Sequence, residues 1–189
     1  MPPTPTHISC NNGVTDADLV SLHAGDAVEL TGRVFSFRDA TALRLTRALE
    51  AGAPIPVSLD RQILYAVGPS PPKPGQIIGS AGPTTTARMA RFLPTLFAAG
   101  VRAVIGKGEL RGDEMTAFTT HGAVYLAAIG GLGALLAKQI ASAEVAGYGD
   151  LGPEALYSLE IHAFPAVVII DTHGSNFHEQ ARVDWRRAR

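Results

Sequence analysis

Two short stretches carry the side chains most able to do chemistry: Gly82-Pro83-Thr84-Thr85-Thr86-Ala87-Arg88-Met89 and, a short helix further on, Ile105-Gly106-Lys107-Gly108. Together they set two cations and a row of hydroxyls around one expected helix start, the chemistry of an anion pocket. A Gly-Pro pair cannot continue a strand or sit inside a helix, so it marks a loop, and the threonines after it are natural caps for a helix starting near Ala87. Free amides and the positive end of the helix dipole would then face the guest, and a carboxylate or phosphate suits them. Thr84 and Arg88 stand four apart, so a helix beginning at the threonines puts both side chains on one side of its first turn. Few acids neighbour Arg88 in the chain, which favours an anion-binding role over a surface ion pair. Lys107 lies between two glycines just past the apolar run Val101 to Ile105, read as a buried strand, and such small neighbours let a ligand approach the backbone.

The elements that must position these residues alternate between strands and helices, without repeats or low-complexity linkers. Thr15 is expected to cap a short turn over Asp16 to Leu22, and Ala27 to Phe35 reads as a strand broken by Gly32. Ala40 to Ala51 has helical spacing and ends at Gly52. Ile63 to Val67 reads as a strand, Gly68 to Gly75 as a stiff proline-rich loop, and Gln76 to Gly79 as a return to the sheet. The threonine loop should lead into a helix to Ala99, kinked at Pro94 and closed by Gly100. Further strands are expected at Arg102 to Ile105, Ala123 to Ala127 and Ala166 to Ile170, with helical segments between them. The fold class that follows is α/β, a mixed sheet with flanking helices.

Whole-chain numbers exclude several functions. The 189 residues, 46% hydrophobic and 17% charged, are enough for one globular domain with a real core. A net charge of -1 gives no electrostatic footprint for nucleic acid, and the basic stretch Arg182 to Arg189 reads as a solvated or partner-facing tail. The single Cys10 excludes an internal disulfide and a multi-cysteine metal site built by this chain, and it reads as a plain thiol near a mobile end. No uncharged apolar run is long enough to span a bilayer. Met1 to Pro5 lacks the features of a signal peptide, so the cytoplasm is the expected location. Ala123 to Ala137 is expected to be a strand, a glycine turn and a short buried helix.

Five motifs in the same order resemble the C-terminal part of class I fumarases, which in two-chain members is the beta subunit of fumarate hydratase or L-tartrate dehydratase. They are Arg38-Asp39-Ala40, Gly82-Pro83-Thr84-Thr85-x-x-Arg88-Met89, Ile105-Gly106-Lys107-Gly108, His121-Gly122-Ala123-Val124-Tyr125-Leu126, and Phe164-Pro165-Ala166 with Asp171-x-x-Gly174. The resemblance implies a swivelling β/β/α domain over residues 19–176, flanked by a partly mobile arm at 1–18 and a basic tail at 177–189. It implies a 4Fe-4S cluster held by three cysteines of an alpha subunit, whose open iron polarises the hydroxyl that leaves or adds. By the same resemblance Arg38, Arg88, Lys107 and Thr85 bind the substrate's carboxylates, and Thr84 takes the proton from the carbon beside one of them. An alcohol is a poor base in water, so Thr84 would need a partner group to accept its own proton.

The expected function is therefore that of the beta subunit of an iron-sulfur hydro-lyase acting on fumarate and malate or on tartrate and oxaloacetate, in an assembly with two copies of each chain. Two positions depart from the family pattern: Ala42 stands where a histidine is usual, and Ala90 where an aspartate is. These losses should make the pocket less polar, and they leave open a non-catalytic carboxylate-binding or assembly module of the same fold. The threonines could be only helix caps, Arg38 and Asp39 an exposed pair, and Lys107 a turn lysine. His121, His162, His173 and His178 lack metal-ligand spacing.

Overall fold

The computed structural model describes residues 4–187 and has seven strands in one sheet, ordered β1-β2-β3-β4-β5-β7-β6 with an additional pairing of β2 to β7. The strands are β1 (Thr6–Ser9), β2 (Ala27–Phe37), β3 (Ile63–Ala66), β4 (Ala103–Gly106), β5 (Val124–Ala127), β6 (Ile140–Gly147) and β7 (Leu156–Ile170). The extra pairing closes β2, β3, β4, β5 and β7 into a barrel-like ring, as the swivelling β/β/α class requires. β2 to β5 run parallel, while β7 is antiparallel to both β2 and β5.

All four residues of β3 are buried, as are all four of β4, because both faces of this parallel segment are covered. Side chains alternate with the strand period. Ile63, Tyr65, Ala103, Ile105, Val124 and Leu126 join one apolar cluster, which the closed sheet surrounds. Leu64, Ala66, Val104 and Tyr125 point the other way, into a second cluster under α2 (Asp39–Glu50), α3 (Leu93–Ala98) and α4 (Asp113–Thr120). There Phe97 of α3 and Phe118 of α4 meet edge to face with ring centroids 4.8 Å apart, a contact worth about 0.5–1.5 kcal/mol beyond its buried area.

Near the start of the chain, Thr15 caps α1 (Asp16–Val20) as expected, in a reciprocal pair with Asp18. Residues 6–9 form a strand beside β2, and Cys10, read from the sequence as a plain thiol near a mobile end, is fully buried in the enclosed cluster. Gly32 marks the irregularity in β2: a Cβ there would lie 2.6 Å from the Asn11 amide nitrogen, and its φ of 123° is open to glycine. Opposite it Ala163, with φ 46°, bends the 15-residue β7 between its β6-paired and β5-paired halves, and its amide donates to Thr31 Oγ1 at 3.0 Å.

Several expected elements differ. Gln76 to Gly79 is not a strand but the second leg of the proline-rich loop, which pairs with itself. The helix after the threonines is two 3-10 turns, Thr86–Arg88 and Ala90–Phe92, before α3, which carries Pro94 in its first turn. The glycine turn leads to α5 (Gly133–Ala137), and the basic tail forms α6 (Phe177–Arg187), none of whose residues is buried. Among the described residues no helix is long and apolar enough to cross a membrane.

Candidate active site

Because β2 to β5 run parallel, their C-terminal ends open on one edge of the sheet, the place where parallel α/β sheets hold ligands. Arg38 follows β2, Gly68 lies just past β3, Lys107 follows β4, and Gly130 and Gly131 come soon after β5. The sheet thereby gathers residues far apart in the chain.

The threonine stretch is threaded between the ends of β3 and β4. Thr84 donates its amide to the Ala66 carbonyl at 2.7 Å, the Lys107 amide donates to the Thr84 carbonyl at 3.3 Å, and the Thr86 amide donates to the Lys107 carbonyl at 3.0 Å. Main-chain pairing, not a shared helix turn, is what brings Thr84 next to Lys107. Thr84 therefore precedes the first 3-10 turn, and no threonine side chain caps that turn. A three-residue turn is also too short to supply a helix-terminal anion site.

Thr86 is buried beneath Gly106, where a Cβ would stand 1.9 Å from Thr86 Oγ1. Tyr125 Oη lies 3.1 Å from the same hydroxyl and 3.0 Å from the Gly108 carbonyl. The phenol's one proton thus faces two acceptors, the Thr86 hydroxyl oxygen and the Gly108 carbonyl. Burial pushes the Tyr125 phenol up to about 12, which keeps it a donor at any ordinary pH.

The arginines meet across Asp39. Arg88 Nη2 donates to Asp39 Oδ2 at 2.7 Å, and Arg38 Nη2 lies 3.9 Å from the same oxygen and 3.7 Å from Glu154 Oε1. The other Glu154 oxygen accepts from the Ala40 amide at 2.8 Å, tying the carboxylate to the first turn of α2. Asp39, adjacent to Arg38, and the sequence-distant Glu154 thus temper the two arginines, of which only Arg88 looked unpaired in the sequence. Arg38 lies across Gly68, whose missing Cβ would come within 2.4 Å of Arg38 Cδ, and its buried Nε has no hydrogen-bond partner. Lys107 has no carboxylate partner among the described residues.

A cavity of about 380 Å³ opens beside Lys107 and is walled by Gly68, Ser70, Ser80, Gly82, Pro83, Gly131 and Gly133. Its small residues leave room for a compact polar guest. A cavity of about 400 Å³ on the other side of the proline-rich loop, between Pro69 and Pro153, has no charged group in its lining and nothing to hold an anion. Ala42 and Ala90 do not face the anion cavity. Both are buried in the apolar cluster under the helices, so their methyls leave the cavity's polarity unchanged. Ser70, Ser80 and Glu154 were not apparent as site residues in the sequence.

Fold and site together define an α/β domain with a small polar cavity, lined by one lysine, at the carboxyl edge of its parallel strands. The sequence model of the family described as "Fumarase C-terminus" matches residues 3–181, and the chain belongs to that family. It is 34% identical over 178 residues to the "Putative L(+)-tartrate dehydratase subunit beta" of Methanocaldococcus jannaschii, covering 89% of this chain and 90% of that one. It is 32% identical to the anaerobic class I fumarate hydratase of Escherichia coli K12, over 87% of this chain and 30% of the relative. With the mitochondrial fumarate hydratase 1 of Leishmania major it is 36% identical, over 81% and 28% respectively. The relatives are thus named as hydro-lyases, and the chain spans about a third or less of the two fumarate hydratases.

This chain's own residues do not fit an iron-sulfur cluster, which is held by several thiolates. Cys10 is the sole cysteine, and burial pushes its thiol up to about 12, away from the thiolate a metal needs. Among the described residues no three His, Cys, Asp or Glu side chains are grouped to hold a metal ion.

Proposed function

We propose that this chain is the substrate-carboxylate-binding subunit of a hydro-lyase that reversibly adds water to, or removes it from, a small dicarboxylate. The observation that carries the reading is the main-chain pairing that sets Thr84 beside Lys107, at the edge where Arg38 and Arg88 also gather. In the dehydration direction a proton leaves the carbon beside one carboxylate, hydroxide leaves the neighbouring carbon, and the electron pair of the broken C–H bond forms the double bond. Lys107 and the two arginines hold the carboxylates, and Thr84 takes the proton. Among the described residues the Thr84 hydroxyl has no hydrogen-bond partner, so the group that accepts its proton belongs to another subunit.

The likeness to a protein named as a beta subunit supports a partner chain. The 4Fe-4S cluster is proposed for that chain, because the three cysteines it needs are not here. Tartrate and fumarate are the candidate substrates, named for the relatives.

Steady-state kinetics of the assembled enzyme test this reading. Arg88→Ala and Lys107→Ala should each weaken substrate binding by roughly 1.5–3 kcal/mol, the range for a charge-assisted hydrogen bond, with assembly intact. Unchanged Michaelis constants in both variants would move these cations out of the site.

A further inference from the structure

The neck of the proline-rich loop forms one wall of the Lys107 cavity, and hydrogen bonds hold it shut. The Ser70 amide donates to the Ser80 carbonyl at 3.0 Å, and the Ser80 amide donates to Ser70 Oγ at 2.8 Å. Gly79 lies under this clasp, where a Cβ would come within 2.3 Å of the Ser70 carbonyl oxygen. The two serines are therefore fixed relative to each other in the wall of the cavity that Lys107 also lines, while the nine residues between them loop away.

Both hydroxyls keep a proton to give. Ser70 Oγ only accepts within the clasp, and Ser80 Oγ has no hydrogen-bond partner among the described residues. Ser80 Oγ also leans on Gly133, where a Cβ would lie 2.3 Å from it, so the glycine leaves space for the hydroxyl at the cavity wall. The rest of that wall is glycine and proline. Two spare hydroxyls beside an ammonium offer nothing to an unsubstituted hydrocarbon chain, but they match a guest that carries hydroxyls as well as carboxylates.

We infer that Ser70 and Ser80 are specificity residues that select a dihydroxylated four-carbon dicarboxylate of the tartrate type over malate and fumarate. The inference rests on the hydro-lyase reading above and names the substrate of that same site. A site built to hydrogen-bond a substrate hydroxyl discriminates strongly against the analogue lacking it, because its own groups are then left unpaired.

The test compares kcat/KM for tartrate, malate and fumarate in the assembled enzyme and in two variants. Ser80→Ala removes one hydroxyl and leaves both clasp hydrogen bonds in place; Ser70→Thr keeps the other hydroxyl and serves as the control for loop integrity. Wild-type enzyme should prefer tartrate, Ser80→Ala should cut the tartrate-to-malate ratio about tenfold, and Ser70→Thr should keep it within about threefold. An active wild-type enzyme without tartrate preference, or a Ser80→Ala ratio equal to wild type, overturns the specificity assignment while leaving the hydro-lyase reading standing. An assembled enzyme inert on all three acids overturns both.

Discussion

Asp39 holds Arg88 at 2.7 Å and stands 3.9 Å from Arg38, so one carboxylate lies between the two guanidinium groups. Thr84 stands apart from that pairing, with its main chain bound and its hydroxyl unused. If that hydroxyl takes the substrate proton, Thr84→Ala should lower turnover by about two orders of magnitude or more, with little change in affinity. Thr84→Ser should retain exchange of the abstracted proton with deuterated water. Exchange at the wild-type rate in Thr84→Ala would leave Thr84 a spacer. Cys10 allows a separate test of packing. Its thiol is neutral in the fold up to about 12 and ionises near 9.0 when exposed, so Cys10 adds stability below pH 9 that is lost as pH rises toward 12. A thiol reagent should therefore label the native chain slowly and the urea-unfolded chain at once; fast native labelling would contradict the burial.

At the level of elements, the site depends on close approach between the threonine stretch and β4. Gly106→Ala would drive a methyl into Thr86 Oγ1, which must move and release its hydrogen bond to Tyr125. Calorimetry should register a loss of about 1–3 kcal/mol, the usual cost of overpacking, and a melting point equal to wild type would count against the packing. These short parallel strands were legible in the sequence because they are continuous apolar runs with glycine or proline beyond them. β6 and the first half of β7 were not: Ile140–Gly147 is mostly small and exposed, and Leu156 to Glu160 pairs against it only after the chain has folded back. The cations at the site were legible as residue types. Asp39 beside Arg38 was legible too, but Glu154 was not, since it reaches Arg38 across more than a hundred residues. Extended pairing of the threonine stretch with β3 and β4 replaces the capped helix that the sequence suggests.

On the scale of the whole molecule, a closed ring of strands carries a small polar cavity at one edge. The family match stops at residue 181, so most of α6 lies beyond it; Arg182 of that helix nevertheless reaches Glu109, near the Lys107 loop, at 2.6 Å. Arg111 and Arg182 together pull the half-buried Glu109 carboxyl down to about 2. The fumarate hydratase relatives devote most of their length to material this chain does not contain. That division agrees with the proposal that this chain, whose single cysteine is buried, binds substrate while a partner chain holds the cluster.

The central claim is that this chain supplies substrate binding to an enzyme whose metal is held elsewhere. The most direct measurement is to purify it anaerobically, alone and together with a cysteine-bearing partner, and to follow the turnover of fumarate, malate and tartrate. The isolated chain should be colourless, iron-free and inactive, and the complex should act on at least one of the three. An isolated chain with a stoichiometric iron-sulfur absorption band that hydrates fumarate would contradict the account.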